Sequence, residues 1–229
     1  MVGITIKQFI LPDTVELTEL LHIVEAINQD AAIHGCLLFR PLPRHLDEAA
    51  VCAALAPSKD VDGITAGSLA GGFAGSGSGF PPCTAQACLE ILDYYGYELT
   101  GKRAVVVGRS LVIGKPAAML LLQRNATVTL CHTRTADLAA ECRRADVLIA
   151  AAGKAGMLGV SHIAPGQAVI DVGINLDADG MLVGDVDFAA AEPVADAVTP
   201  VPGGVGAVTT SVLARHVAEA AARLHGLGG

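Results

Sequence analysis

Short apolar runs alternate with helical patterns along the second half of the chain. The runs at 104–107, 127–130, 147–150 and 168–171 have the length and β-branched content of buried parallel strands. Apolar residues at helical spacing follow the first two of these runs. This alternation predicts a parallel, doubly wound, Rossmann-like sheet, whose ligand lies at the carboxyl ends of the strands.

The first half has a less regular pattern, in which we predict two strands, at 4–10 and 35–39. Helices are predicted to begin at three N-cap residues, Thr18, Asp47 and Thr84. The glycine- and serine-rich residues 70–79 are typical of a linker.

We therefore expect an α/β protein of two domains. A smaller α/β domain, for the substrate, comprises residues 1–94 and a closing helix at 207–229. The Rossmann-like domain, for the nucleotide, comprises residues 95–206.

Glycines and polar residues follow the predicted strands. After the first strand come Gly108, Arg109, Ser110 and Gly114, which lead into a helix. A turn of this kind directs backbone N–H groups and the positive end of a helix dipole at one point, which suits a phosphate. The spacing is not G-x-G-x-x-G, so this stretch alone supports a structural turn equally well. The polar residues after the other strands favour a nucleotide site.

The residues that follow the second predicted strand indicate which nucleotide would bind. An NAD site places an acidic residue about 20 positions after the first glycine. This chain has His132, Thr133 and Arg134 there, with no carboxylate before Asp137. Because a guanidinium matches a phosphate well, Arg109 and Arg134 could hold the 2′-phosphate of NADP. The alternative, that both arginines are ordinary solvated residues, remains open.

Composition narrows the class of protein. The net charge of −8, without a basic tract, argues against a nucleic-acid partner. No stretch approaches the ~18 uninterrupted apolar residues of a membrane span, and no secretory signal is visible, so a cytoplasmic protein is expected. The six cysteines form no C-x-x-C pair and no zinc-type spacing, which predicts reduced thiols and no metal site.

Eight motifs carry a resemblance that covers nearly the whole chain. They are PLP (41–43), KDVDG (59–63), PCT (82–84), GRSLVIGKP (108–116), NATVTLCHTRT (125–135), DVGIN (171–175), GDVDF (184–188) and TPVPGGVG (199–206). In order and spacing they resemble FolD, the bifunctional methylenetetrahydrofolate dehydrogenase/methenyltetrahydrofolate cyclohydrolase family. The resemblance implies a homodimer of two-domain chains, with NADP on the second domain and folate in a cleft between the domains.

The resemblance also assigns roles to residues. Asp62 corresponds to the carboxylate that hydrogen-bonds the pterin, while Pro202, Gly203 and Gly204 correspond to a loop beside the folate and the nicotinamide. With the strand-end residues, the expected cofactor contacts are Gly108, Arg109, Ser110, Gly114, His132, Thr133, Arg134, Ile174 and Thr209.

Departures from the family pattern concentrate in the folate half. The family's catalytic Tyr-x-x-x-Lys segment precedes a Gly-Ile that is here Gly3-Ile4, so its lysine and tyrosine have no counterpart in this chain. On the substrate side, Phe39 stands where the family has a glutamine that supports the lysine. We therefore expect hydride transfer from methylenetetrahydrofolate to NADP, with the cyclohydrolase activity in doubt. Two alternatives remain open: a dehydrogenase for another iminium or cyclic amine, and a non-catalytic nucleotide-binding homologue that needs a partner chain.

Overall fold

The computed structural model describes residues 3–227, which divide into two units. The first unit contains the residues up to Cys83 together with those from Ser211 onward, and the second runs from Thr84 to Thr210. The α/β class predicted from the sequence is confirmed. The domain limits proposed above, at residues 94 and 207, remain a prediction about which segments fold as independent domains.

The first unit begins with three helices, α1 (Leu17–Gln29), α2 (Glu48–Ala54) and α3 (Ala66–Ala74). Helices α1 and α2 share a core that includes Val24 and Val51. The side chain of Asp47 caps α2 by accepting a hydrogen bond from the Ala50 N–H, 3.0 Å long, so this predicted N-cap is confirmed.

The two strands predicted in the first half are wrong. Residues 4–10 form no strand, and Ile10 is 87% exposed. Of residues 35–39, only Cys36 pairs, in an isolated parallel bridge with Asp60. The apolar pattern of both segments is compatible with a strand. A strand also needs a neighbouring backbone that pairs with its N–H and C=O groups, and the described residues supply none beyond that bridge.

Three predictions about helices also need correction. Thr18 lies inside α1, whose N-cap is Glu16, and the helix predicted to start after Thr84 begins at Cys83. The predicted linker at 70–79 is partly helix α3, because the Thr65 side chain caps it by accepting the Ser68 N–H. Gly75, with φ of 65°, ends α3 in the left-handed conformation that a helix C-terminus favours.

The second unit is built on a parallel sheet. Its strands are β1 (Arg103–Val107), β2 (Thr127–Cys131), β3 (Val147–Ala150), β4 (Ala168–Asp171) and, after the short pair β5 (Asn175–Leu176) and β6 (Leu182–Val183), β7 (Ala197–Val198). The spatial order is β2-β1-β3-β4-β7, all parallel, while β5 and β6 form an antiparallel hairpin. The four strands predicted in this half are thus confirmed.

Helices precede, connect and follow these strands. They are α4 (Cys83–Tyr94), α5 (Gly114–Gln123), α6 (Leu138–Arg143), α7 (Phe188–Ala191) and α8 (Val205–Leu224), with a short 3-10 turn at Val160–His162. Alternate residues of the central strands, such as Val105 and Leu148, form a fully apolar core with Cys142 of α6. The later turns of α8 belong to the first unit, where Ala220 packs with Val61 and Phe80. Between residues 3 and 227, no helix combines the length and the apolar character that crossing a membrane requires.

Candidate functional site

The predicted cofactor residues follow the carboxyl ends of the strands. Residues 108–110 follow β1, residues 132–134 follow its neighbour β2, and Ile174 follows β4. The loop with residues 202–204 follows β7. Because these strands are parallel, all four loops leave the same edge of the sheet, where ligands of such sheets bind. Thr209 lies in the second turn of α8, where its hydroxyl donates to the Val205 carbonyl over 3.0 Å.

Two glycines shape the turn from β1 to α5. Gly108 has φ of 127° and donates its N–H to the Cys131 carbonyl at 2.9 Å. A Cβ on Gly108 would overlap the carbonyl oxygen of Ala151, and one on Gly114 would overlap that of Gly108. The backbones approach so closely that only glycine fits at either position. The turn leaves Arg109 and Ser110 exposed, and the Ser110 hydroxyl accepts the Ile113 N–H at 3.1 Å.

The loop after β2 is held by its own side chains. His132 Nδ1 accepts the N–H of Arg134 at 3.1 Å, and the Thr135 hydroxyl accepts the N–H of His132 at 2.9 Å. These two hydrogen bonds fix the turn, so His132 has a structural role in this loop. Thr133 and Arg134 are exposed beyond it.

The charges at this edge suit an anion. Neither Arg109 nor Arg134 makes an ion pair with any residue between 3 and 227. The nearest following carboxylate, Asp137, caps α6 by accepting the Ala140 N–H at 2.9 Å. This carboxylate already has a structural role as a helix cap, and residues 132–136 separate it from the end of β2, where an NAD site would place its ribose-binding acid. The donor set therefore fits a nucleotide that carries an additional phosphate.

Asp185 is a site residue that the sequence analysis missed. It is fully buried, and its Oδ2 accepts the N–H groups of Ala152 and Gly153, at 2.5 and 2.9 Å. Its Oδ1 accepts the N–H of Lys154 at 2.8 Å and the side-chain amide of Asn175 at 3.0 Å. One carboxylate thus organises the loop after β3 and ties it to the residues after β4.

Asp171, at the end of β4, has a similar role. Its Oδ1 accepts the N–H groups of Gly173 and Asp185, at 2.9 and 3.0 Å, and its Oδ2 accepts that of Val186 at 2.9 Å. Burial raises the pKa of Asp171, and these backbone donors oppose the rise. Gly173 and Gly184 lie beside these aspartates, and a Cβ on either glycine would overlap the opposite carboxylate, a requirement that only the folded chain reveals.

The residues assigned to the substrate lie in the first unit. Asp62 is half-buried. Burial raises the pKa of its carboxyl, while a hydrogen bond with the Cys83 thiol and the charge of Arg40 lower it. The turn before it is built by Asp60, whose buried carboxylate accepts the N–H groups of residues 64 and 65. Phe39 is 83% exposed, so its ring contributes little to any core.

No group of three or more His, Cys, Asp or Glu side chains suited to a metal ion occurs within residues 3–227. The six cysteines, of which Cys36 and Cys52 are half-buried and the others buried, are all free thiols.

Two family models match this chain. Residues 1–62 match the catalytic domain, and residues 82–225 the NAD(P)-binding domain, of tetrahydrofolate dehydrogenase/cyclohydrolase. The chain belongs to the FolD family. The catalytic match includes Phe39 and Asp62, and the NAD(P)-binding match includes every residue assigned above to the cofactor.

Relatives in the FolD family are similar over nearly the whole chain. The bifunctional protein FolD of Carboxydothermus hydrogenoformans is 50% identical over 228 residues, which cover 99% of this chain and 79% of that protein. That of Anaeromyxobacter dehalogenans is 50% identical, covering 97% and 79%.

Two solved FolD structures share the fold. The enzyme from Campylobacter jejuni superposes with a TM-score of 0.89 at 38% identity, covering 92% of this chain and 75% of that one. The enzyme from Trypanosoma brucei, solved with NADP cofactor and inhibitor, gives 0.86 at 37% identity, covering 93% and 75%.

Proposed function

We propose that this chain oxidises 5,10-methylenetetrahydrofolate with NADP. The carrying observation is the pair of exposed, unpaired guanidinium groups of Arg109 and Arg134 at the ends of adjacent strands β1 and β2, within the described residues. Such a pair suits the 2′-phosphate that distinguishes NADP from NAD. Membership of the FolD family supports the folate substrate.

The reaction removes a hydride from the methylene carbon that bridges two folate nitrogens and leaves a methenyl cation stabilised by both. When bound, NADP supplies the hydride acceptor. The residues of this chain then have to bind and orient the two reactants. We assign Arg109, Ser110 and Arg134 to the nucleotide phosphates and Asp62 to the pterin. Asp185 keeps the loop after β3 in shape through three backbone hydrogen bonds.

The second family activity, hydrolysis of the methenyl cation, is proposed to be weak. That step needs a positioned group to move protons. In the family resemblance, a glutamine supports the lysine that does so, and here the position holds Phe39, whose ring cannot hydrogen-bond an amine. The replacement of the glutamine by Phe39 bears on hydrolysis alone, so the hydrolysis is measured separately from the dehydrogenase.

The deciding experiment follows the absorbance of reduced cofactor when purified protein meets methylenetetrahydrofolate with NADP, and separately with NAD. We expect turnover that is faster with NADP. Hydrolysis of methenyltetrahydrofolate is measured alone and is expected to be much slower than the dehydrogenase. Binding of NADP in calorimetry without turnover would contradict the proposal and direct attention to another iminium substrate.

We further propose that the chain acts as a cytoplasmic homodimer. The free thiols support a reducing compartment. The exposed apolar side chains of Leu176 and Met181 on the β5–β6 hairpin support an interface between copies. Light scattering should give twice the chain mass, and a monomer at assay concentration would contradict the dimer.

A further inference from the structure

The turn after β2 is closed by three hydrogen bonds among four residues. The Thr135 N–H donates to the His132 carbonyl at 2.9 Å, which makes residues 132–135 a β-turn with Thr133 and Arg134 at its two central positions. The His132 N–H donates to the Thr135 hydroxyl at 2.9 Å, and His132 Nδ1 accepts the Arg134 N–H at 3.1 Å. The first and last residues thus hold the two residues between them.

The hydrogen bond from Arg134 to the imidazole fixes the backbone of Arg134 itself. A side-chain acceptor that binds the N–H two residues later is the arrangement in which asparagine and aspartate form Asx turns. In histidine, Nδ1 is bonded to Cγ, as Oδ1 is in asparagine, so His132 can make the same turn. The direction in which the Arg134 side chain leaves the backbone therefore depends on the side chain of His132.

The four residues of the turn divide into two pairs. His132 and Thr135 are half-buried, and their side chains accept hydrogen bonds from within the turn. Thr133 and Arg134 are exposed, so a hydroxyl and a guanidinium are available to a ligand. The half-buried pair therefore holds the turn, whereas the exposed pair can bind.

The base of the turn is tied to the neighbouring loop. The carbonyl of Cys131, the residue before the turn, accepts the Gly108 N–H at 2.9 Å. Gly108 precedes Arg109, whose guanidinium is exposed like that of Arg134. The two loops therefore start from a common fixed point, and the turn determines where Arg134 lies relative to Arg109.

A loose turn would affect the two nucleotides differently. If Thr133 and Arg134 were not held in place, their ordering would be a cost of binding the 2′-phosphate. NAD has no 2′-phosphate, so its binding would not include this cost. The hydrogen bonds of the turn should therefore contribute to the preference for NADP over NAD.

We propose that His132 and Thr135 are positioning residues for the choice of cofactor: their hydrogen bonds hold Thr133 and Arg134 towards the 2′-phosphate of NADP, and the His132 ring does not itself bind the phosphate. The consequence for cofactor choice rests on the NADP site proposed above. The hydrogen bonds of the turn do not, which allows the two to be tested apart.

The first test measures by calorimetry the binding of 2′,5′-ADP, which has the 2′-phosphate, and of 5′-AMP, which lacks it. In His132→Leu, the affinity for 2′,5′-ADP should fall about fivefold, the net effect of one hydrogen bond, while that for 5′-AMP stays within about twofold. His132→Asn should restore the wild-type affinity, because its amide oxygen can accept the Arg134 N–H.

Variants of Thr135 provide a second measurement at the same turn. Thr135→Val removes the acceptor of the His132 N–H and should weaken 2′,5′-ADP selectively, whereas Thr135→Ser keeps the hydroxyl and should not. The matched control is His162→Leu. His162 is also half-buried and its Nδ1 lies 3.2 Å from the Ser161 hydroxyl, but it belongs to the 3-10 turn that precedes β4. This variant should bind both nucleotides as the wild type does.

The second test distinguishes positioning from direct contact. In a Thr133→Ala/Arg134→Ala background, adding His132→Leu should lower the affinity for 2′,5′-ADP by less than about twofold, because the side chains to be positioned are already gone. A further fivefold loss in that background would show that the ring contacts the phosphate and would overturn the inference.

The third test needs no ligand and measures hydrogen exchange of the Arg134 amide by NMR. Exchange should be about fivefold faster in His132→Leu and unchanged in His132→Asn. Unchanged exchange in His132→Leu, or unchanged affinity for 2′,5′-ADP, would overturn the inference.

Failure of the proposed function would look different. A wild type that shows the expected nucleotide and exchange patterns but does not oxidise methylenetetrahydrofolate would overturn only the proposed function. A wild type that binds 2′,5′-ADP no more tightly than 5′-AMP would overturn both.

Discussion

The backbone N–H of Asp185 donates a hydrogen bond, 3.0 Å long, to the carboxylate of Asp171. Two buried acidic side chains are therefore adjacent, yet each is surrounded by N–H donors that stabilise its negative charge. Asp171 fixes the backbone that carries Asp185, and Asp185 fixes the loop after β3. The loop after β3, at the carboxyl ends of the strands, is therefore held in place by Asp171 and Asp185 acting one after the other.

Asp185→Asn should destabilise the protein strongly. The substitution keeps the size of the side chain but replaces one acceptor oxygen with an NH2 group, which then faces backbone N–H donors. We expect the free energy of unfolding to fall by about 3 kcal/mol. Chemical denaturation measures it.

Asp187→Asn is the matched control for Asp185→Asn. Asp187 is exposed and caps α7, a position at which asparagine serves as well, so we expect a change within about 0.5 kcal/mol. Equal losses in the two variants would contradict the role given to Asp185.

Gly63→Ala should displace the turn that carries Asp62. Gly63 has φ of +69°, and a Cβ there would lie 2.5 Å from backbone atoms of Pro81 and Pro82. An alanine is strained in the left-handed conformation, and its Cβ would overlap backbone atoms that cannot easily move. We therefore expect the free energy of unfolding to fall by more than about 2 kcal/mol.

Gly96→Ala separates the two causes, because Gly96 has φ of +73° but nothing within 4 Å of its Cβ position. It should lose only about 1 kcal/mol, the cost of the backbone conformation. If Gly63→Ala lost no more than Gly96→Ala, close packing against the PCT segment would not be what requires glycine.

Alkylation should distinguish the cysteines. Burial raises the pKa of Cys83, Cys88 and Cys142 to about 12, and the thiolate is the reactive form. At mildly alkaline pH, iodoacetamide should therefore modify the half-buried Cys36 and Cys52 first. Peptide mass mapping gives the order, and labelling in denaturant, where all six should react, is the control. Modification of Cys83 before Cys52 would refute the burial argument.

The central strands of the second unit could be predicted because they are buried on both faces. For a strand of this kind, a continuous apolar run is nearly sufficient, and the runs at 147–150 and 168–171 match β3 and β4 residue for residue. The strands of the first unit could not be predicted in this way, because residues 4–10 have a similar apolar pattern but no neighbouring backbone to pair with. Apolar pattern is local information, whereas strand pairing is not.

The candidate site divides in the same way. Arg109 and Arg134 could be selected because each follows a recognisable strand. Asp185 could not, because its partners include Ala152, 33 residues earlier. His216 Nδ1 lies 2.9 Å from the carbonyl oxygen of Val61 across 155 residues of sequence, so nothing near it in the chain predicts this contact. Residues that act through other residues are identified only when the chain is folded.

Arg134→Ala should change the choice of cofactor. The exposed guanidinium is proposed to hold the 2′-phosphate, which NAD lacks, so the KM for NADP should rise at least about tenfold while the KM for NAD stays constant. Initial rates with each nucleotide at saturating methylenetetrahydrofolate measure this directly.

Arg144→Ala is the matched control, because this arginine is also exposed but follows α6, away from the carboxyl ends of the strands. It should alter neither KM. Arg109→Ala adds a further distinction. If Arg109 binds the phosphates common to both nucleotides, its loss weakens NADP and NAD alike, and if it shares the 2′-phosphate with Arg134, the loss is confined to NADP. An Arg134→Ala enzyme with unchanged KM for NADP would place the 2′-phosphate elsewhere and remove the argument that this edge selects NADP over NAD.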